Sequence, residues 1–212
     1  MHRDLLQNTI NFQHCQRNFD LTKTLDNDIA QHLYQIALST PSKQNYVNFD
    51  CIAITNRQLI RQIAELCIHE QRDKLLPNLK EEFKKGRLQN PQVDAHMILL
   101  YFVKFENENI DHSDRMGHKT VSNWKRLTNM EIGISTGAVG LAANMLGLRT
   151  GFCKCFIENR LPDFTQYGID KEDLEVILSI GYPLHKDHTI HTDDRFTSKS
   201  YDKEGQKIIF ID

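Results

Sequence analysis

The sequence predicts a single domain built from both helices and strands. Helical and strand-like segments alternate along the chain, which on its own favours an α/β-type domain. The length of 212 residues suits one large domain or two small ones, and no linker or internal repeat divides it. With 40% hydrophobic and 25% charged residues, the chain can bury a sizeable core.

The first half of the chain predicts two helices around one strand. Apolar residues at helical spacing predict a helix over residues 26–38. Asp26 is the predicted N-cap, because its carboxylate can accept from the first free backbone N–H groups, and Pro41 prevents the helix from continuing. Residues 49–55, "FDCIAIT", predict a buried strand, and residues 56–68 return to helical spacing.

The second half predicts a central strand and an unusual helix. Residues 94–105 are apolar on both faces, which predicts a central strand. Residues 129–147 are helical in pattern but rich in Gly, Ala, Ser and Thr, and Gly147 is a suitable C-terminal cap. Each interior glycine costs a helix roughly 1 kcal/mol relative to alanine. Close packing offsets that cost, either within the chain or across a subunit interface. Strands are predicted in residues 150–156 and 174–183.

Composition excludes several classes of function. The net charge of −2 gives no basic field for nucleic acid. The longest apolar run, "MILLYFV", is the length of a strand and too short for a membrane span, and the first residues lack the apolar core of a signal peptide. Five scattered cysteines suit reduced thiols better than a disulfide framework. We therefore expect a cytoplasmic protein without membrane or nucleic-acid partners.

Two polar segments have no predicted helix or strand over most of their length. Residues 106–123 are either a lid over a site or a mobile surface loop, and the sequence favours neither. Residues 184–212 form a polar extension that ends in the strand-like run "QKIIFID". That run needs a sheet edge to pair with, and a partner subunit is one source of such an edge.

We predict no metal site. Histidines and carboxylates with metal-ligand chemistry cluster near the C-terminus: His185, His188, His191, Asp187, Asp193 and Asp194. They match no tight metal motif, so solvated surface side chains are favoured. Cys153 and Cys155 could also hold a metal or a redox centre, but we expect their side chains to point to opposite faces of a strand.

Five motifs in collinear order resemble the nitroreductase family of FMN-dependent oxidoreductases. They are "QHCQRNF" (13–19), "STPSKQN" (39–45), "NPQVDAHMILLYF" (90–102), the small-residue helix running into "GLRTGFCKCF" (129–156), and "ILSIGYP" (177–183). The resemblance covers most of the chain, and the order of the motifs carries it rather than any single motif.

The resemblance implies how the chain holds the FMN phosphate. Arg17 matches a basic position of the family's phosphate-binding run, and His14 and Cys15 match positions that are commonly basic or His and then Ser. Near the C-terminus Arg195 is the best-placed second cation and Lys199 the next. Cations and hydrogen-bond donors are what a phosphate requires.

The resemblance also implies contacts to the flavin ring. Pro41 fixes a turn that presents Ser42 and Asn45 to the ring edge from the opposite subunit. The strand "GFCKC" matches the family's stretch whose backbone faces flavin N5. The residues assigned to this strand are Phe152, Lys154 and Cys155.

The implied fold is α+β: a mostly antiparallel sheet flanked by helices, in an intertwined homodimer with FMN at the interface and the C-terminal strand exchanged. The implied activity is hydride transfer from NADH or NADPH, through flavin N5, to a small acceptor such as a nitroaromatic or a quinone. Such a ping-pong scheme needs no catalytic side chain, and we name none.

Two alternatives stay open. The same fold hosts flavin-fragmenting, dehalogenating and azoline-oxidising enzymes, and residues 106–123 carry no signature that separates them. Outside enzymes, a degenerate flavin-binding protein is possible, because Gln13 stands where the family often has arginine and Cys15 replaces a better hydroxyl donor.

Overall fold

The computed structural model describes residues 15–42, 47–67, 90–104, 121–156 and 161–184. Its helices are α1 (Asn27–Leu38), α2 (Arg57–Leu66) and α3 (Val121–Met145). Its strands are β1 (Phe49–Ile54), β2 (Met97–Val103), β3 (Arg149–Cys153) and β4 (Leu174–Gly181). Two short 3-10 turns, Thr165–Tyr167 and Lys171–Asp173, precede β4.

The four described strands form one antiparallel sheet in the order β1-β2-β4-β3. The α+β class is therefore confirmed, and the α/β type suggested by alternation alone is wrong. Alternation could not reveal strand direction, because a helix between two strands permits either a parallel or an antiparallel return. All seven residues of β2 are buried, as predicted for a central strand.

The sheet has a hydrophobic core on each face. Leu99 and Tyr101 of β2 belong to the core that α1 and α3 cover. Ile98 and Leu100 point to the other face, into the core that α2 covers. This alternation follows from the two-residue repeat of a strand. Because helices cover both faces of the sheet at β2, both sides of the strand are apolar. That pattern is what identified β2 as a central strand in the sequence.

The helix ends show side-chain and glycine caps. Asp26 caps α1 as predicted, by accepting from the Asp28 N–H at 2.8 Å. Asn56, for which no capping role was predicted, caps α2 by accepting from the Leu59 N–H at 3.0 Å. Gly147 follows α3 with a φ of 76°, the left-handed conformation predicted for it. However, α3 begins at Val121 rather than near residue 129, so the last three residues of the predicted loop 106–123 are helical.

Other predicted segments lie outside the described residues. These are residues 106–120 of the predicted loop, the C-terminal extension from residue 185 onward, and the histidine cluster within it. Among the described helices, none is both long enough and apolar enough to cross a membrane.

His96 is buried where the chain enters β2, at 6% exposure. Its Nε2 lies 3.1 Å from the Lys23 carbonyl oxygen, so that nitrogen carries the donated proton. Its Nδ1 is buried and has no hydrogen-bond partner in the described part of the chain. Burial lowers the pKa of His96 most strongly, and the nearby Arg57 charge lowers it further. The hydrogen bond to Lys23 and the nearby Asp20 raise it, but the net shift is downward.

We predict that acid destabilises the fold through His96. Since its pKa is lower in the folded than in the unfolded chain, the unfolded chain binds more protons as pH falls through the ordinary histidine range. The free energy of unfolding is therefore highest above that range and decreases below it. Urea unfolding at pH 7.5 and 5.5 should show a smaller decrease for His96→Gln than for the wild type. His32→Gln, at an exposed histidine of α1, is the control and should keep the full decrease.

Candidate functional site

The segment that begins at Cys15 lies along the edge of β3 that faces away from β4. The Gln16 N–H donates to the Thr150 carbonyl at 2.7 Å, and the Phe152 N–H donates to the Cys15 sulfur at 3.2 Å. Phe19 then forms an antiparallel bridge with Pro183, beyond the end of β4. The predicted phosphate-binding run and the predicted ring-facing strand therefore meet side by side.

Gly151 allows this close approach. A Cβ built on Gly151 would lie 2.3 Å from the Gln16 carbonyl oxygen and 3.2 Å from Gln92 Cγ. No side chain fits there unless the backbone at Gln16 moves. The glycine is thus needed for the approach of a neighbouring segment, and its backbone φ does not lie in the left-handed region.

Gln92 connects two of the predicted phosphate ligands, Cys15 and Arg17. Its Nε2 donates to the Cys15 sulfur at 3.2 Å, and its Oε1 accepts from Arg17 at 3.3 Å. Its backbone N–H donates to Asn90 Oδ1 at 3.1 Å, which fixes the turn before β2. The sequence analysis missed Gln92 as a site residue. The available signal was two polar amide residues immediately before an otherwise apolar central strand.

The residues of β3 and its continuation have different surroundings. The Phe152 side chain is 43% exposed beside Cys15, so it presents an apolar surface at the site. Its N–H is bonded to the Cys15 sulfur. Lys154 forms an exposed ion pair with Glu175 of β4. Cys155 is exposed and follows the end of the strand.

The two cysteines of "CKC" do face different surroundings, but the reason given by the sequence analysis is wrong. Residues two apart in a strand share a face. Cys153 is buried and Cys155 exposed because β3 ends at Cys153. In the described part of the chain, no group of three or more His, Cys, Asp or Glu residues could hold a metal ion.

Pro41 and Ser42 of the predicted turn lie before β1, and not beside β3 with Cys15 and Arg17. Pro41 is exposed and Ser42 half-buried, just beyond the end of α1, and the chain next enters β1. β1 and β3 are at opposite ends of the described sheet order. With strands about 4.8 Å apart, the two strands are separated by roughly 14 Å. Three predicted ligands, His14, Asn45 and Arg195, lie outside the described residues.

Comparison with known proteins identifies the family. The sequence profile of the nitroreductase family matches residues 10–182. The chain belongs to the nitroreductase family. No functionally curated protein matches the sequence significantly.

Solved structures share the nitroreductase fold with this family member at low sequence identity. A BluB-like flavoprotein from Clostridium difficile 630 is 18% identical, with a TM-score of 0.57, and the match covers 98% of this chain and 99% of that one. An FMN-dependent nitroreductase from Clostridium difficile R20291 is 15% identical, with a TM-score of 0.55 and coverage of 97% and 99%. A putative NAD(P)H:FMN oxidoreductase from Staphylococcus epidermidis ATCC 12228 is 12% identical, with a TM-score of 0.59 and coverage of 86% and 88%.

We predict that Gly151→Ala destabilises the protein by about 1–3 kcal/mol, the usual cost of overpacking, because the new Cβ displaces Gln16. Urea unfolding measures the change. Gly140→Ala in α3 is the matched control: its Cβ would lie an ordinary 3.4 Å from Thr150 Oγ1, and helix propensity favours alanine by up to about 1 kcal/mol. Equal stabilities of Gly151→Ala and the wild type would contradict the close contact.

Proposed function

We propose that this chain is an FMN-dependent oxidoreductase that transfers hydride from NADH or NADPH, through flavin N5, to a small acceptor such as a nitroaromatic or a quinone. Membership of the nitroreductase family supports a flavin oxidoreductase in general. Two structural neighbours, described as an FMN-dependent nitroreductase and a putative NAD(P)H:FMN oxidoreductase, support the same general activity. The observation that carries the proposal is the meeting of Arg17, Gln92 and β3 at one place.

The residues present there fit the two ends of a flavin mononucleotide. The phosphate would be held by the Arg17 guanidinium, which is half-buried and contacts Gln92. The exposed Phe152 ring supplies apolar surface for a flat ring system. Cys15 fits less well as a phosphate donor, because its thiol already donates to the Phe152 carbonyl at 3.7 Å, while its sulfur accepts from Phe152 and Gln92. His14, Asn45 and Arg195 remain proposed ligands.

We further propose a homodimer in which the partner supplies Ser42 to the flavin. The position of Ser42 supports this, because it precedes β1 while Arg17 lies beside β3, at the opposite end of the described sheet order. We place the dimer in the cytoplasm, because the five scattered cysteines of each chain suit reduced thiols better than a disulfide framework.

One face of α3 supports the dimer. Large apolar side chains repeat along it at helical spacing and are 41–66% exposed: Met130, Ile134, Leu141 and Met145. Two glycines, Gly133 and Gly137, lie among them, and a Cβ on either would meet nothing within 4 Å in the described part of the chain. We call this face the α3 stripe. It provides apolar area, and its glycines allow the close backbone approach that the small residues predicted for this helix.

We predict that Arg17→Ala raises the dissociation constant for FMN by roughly ten- to a hundredfold, the effect of losing a charged hydrogen-bond donor. Titration of the apoprotein with FMN, followed by quenching of flavin fluorescence, measures it. Lys125→Ala removes a surface cation of α3 and is the control, expected to stay within about twofold of the wild type. Unchanged affinity in Arg17→Ala would remove Arg17 from the site.

The same FMN-loaded protein separates the alternatives. Loss of the yellow colour on anaerobic addition of NADH or NADPH supports a reductase. A yellow protein that keeps its colour favours a flavin-binding or flavin-fragmenting role instead. A colourless protein that ignores added FMN favours the degenerate alternative.

We predict that Ile134→Asp converts the dimer to monomer at micromolar concentration, because it places a charge in an apolar contact. Sedimentation velocity measures the mass. Gln31→Asp adds the same charge at an exposed position of α1 and should leave the dimer intact. A wild-type monomer, or a dimeric Ile134→Asp, would contradict the proposed interface.

A further inference from the structure

Two side chains of α3 form hydrogen bonds at the two ends of the segment that connects α1 to β1. This segment contains the predicted turn with Ser42. At the β1 end, Asn48 donates from Nδ2 to both carboxylate oxygens of Glu131, at 2.8 and 2.9 Å. The backbone N–H of Asn48 donates to Glu131 Oε2 at 3.2 Å. Glu131 is 1% exposed and Asn48 is 4% exposed. One buried carboxylate therefore fixes both the side chain and the main chain of the residue that ends the turn.

At the α1 end, the Ser135 hydroxyl donates to the Ala37 carbonyl at 2.7 Å. Ala37 lies in the last turn of α1, where carbonyl groups have no partner within the helix. The Tyr101 hydroxyl of β2 lies 3.0 Å from Ser135 Oγ, and Tyr101 is the donor because the serine proton is directed at Ala37. All three residues are fully buried. The orientation of the serine hydroxyl is thus set from β2.

Glu131 and Ser135 are four residues apart, which places them on the same face of α3, one turn after the other. The residues on either side of the predicted turn, Ala37 before Ser42 and Asn48 after it, are therefore both bonded to one helix. Hydrogen bonds between buried polar groups are costly to leave unmade, so the attachment resists displacement of either end.

We propose that Glu131 and Ser135 are positioning residues for flavin binding, which fix the two described ends of the connection between α1 and β1, at Ala37 and at Asn48. This inference rests on the proposed function, in which the turn presents Ser42 to the FMN of the partner subunit. Neither side chain needs to contact FMN. Both act through the turn they hold.

The test compares Glu131→Gln and Ser135→Ala with the wild-type dimer. In Glu131→Gln an amide donor faces the donors of Asn48. We expect FMN to bind roughly tenfold more weakly, the effect of losing one hydrogen bond to a buried charged group. The shape of the bound flavin's absorption spectrum should also change. In the apoprotein, hydrogen–deuterium exchange of the backbone amides of residues 39–48 should become faster. Ser135→Ala removes the hydrogen bond at the α1 end, and the same measurements are made on it. It replaces Glu131→Gln as the test variant if Glu131→Gln does not fold.

Two further variants make the test specific. The double variant Glu131→Gln with Asn48→Asp exchanges amide and carboxylate across the same contact, and should recover most of the FMN affinity. Thr136→Val is the matched control, because the buried Thr136 hydroxyl donates only to the Gly133 carbonyl of its own helix, at 3.1 Å. It should leave both the FMN affinity and the exchange of residues 39–48 unchanged.

The outcomes separate the inference from the proposed function. Wild-type affinity and wild-type exchange in Glu131→Gln and Ser135→Ala overturn the positioning role, while the FMN site stands. A wild-type protein that binds no FMN overturns the proposed function and the flavin-related role with it. Hydrogen–deuterium exchange of residues 39–48 in the variants would then still show whether the hydrogen bonds from α3 stabilise this segment.

Discussion

The hydrogen bonds between Asn48 and the buried carboxylate of Glu131 are the contact on which the arrangement depends. A buried carboxylate is tolerated only when its oxygens are hydrogen-bonded, so this contact fixes α3 relative to the start of β1. Ser135, one turn further along the helix, fixes α3 relative to the end of α1. The inner face of α3 therefore determines the position of the turn, and the opposite face carries the α3 stripe.

A second constraint acts at the other end of the sheet. The outer edge of β3 is covered by Cys15 and Gln16, which both supply partners to its backbone. An exposed strand edge would otherwise present free backbone groups to another chain. Covering the edge also brings Arg17 to Gln92, so one contact protects the sheet and positions the proposed phosphate ligand. Gly151 is the residue that makes this coverage sterically possible.

Much of the fold followed from the sequence, because its signals are local. The Asp26 cap, the helix-ending Gly147 and the apolar faces of β2 are each properties of a few neighbouring residues. Strand direction was predicted only through the family resemblance, and the role of Gln92 was not predicted, because both depend on residues distant in the chain. The site was predicted only in outline: motif order grouped Cys15 and Arg17 with Phe152, but no spacing rule predicts that the Phe152 N–H is bonded to the Cys15 sulfur.

The central claim is that two chains jointly enclose one FMN, with Arg17 and β3 from one subunit and the turn containing Ser42 from the other. A crystal structure of the protein grown with FMN tests it most directly. The account predicts two FMN molecules per dimer, each with its phosphate at Arg17 and its ring edge at Ser42 of the partner subunit. A flavin bound within a single chain, or one distant from Arg17, would contradict it.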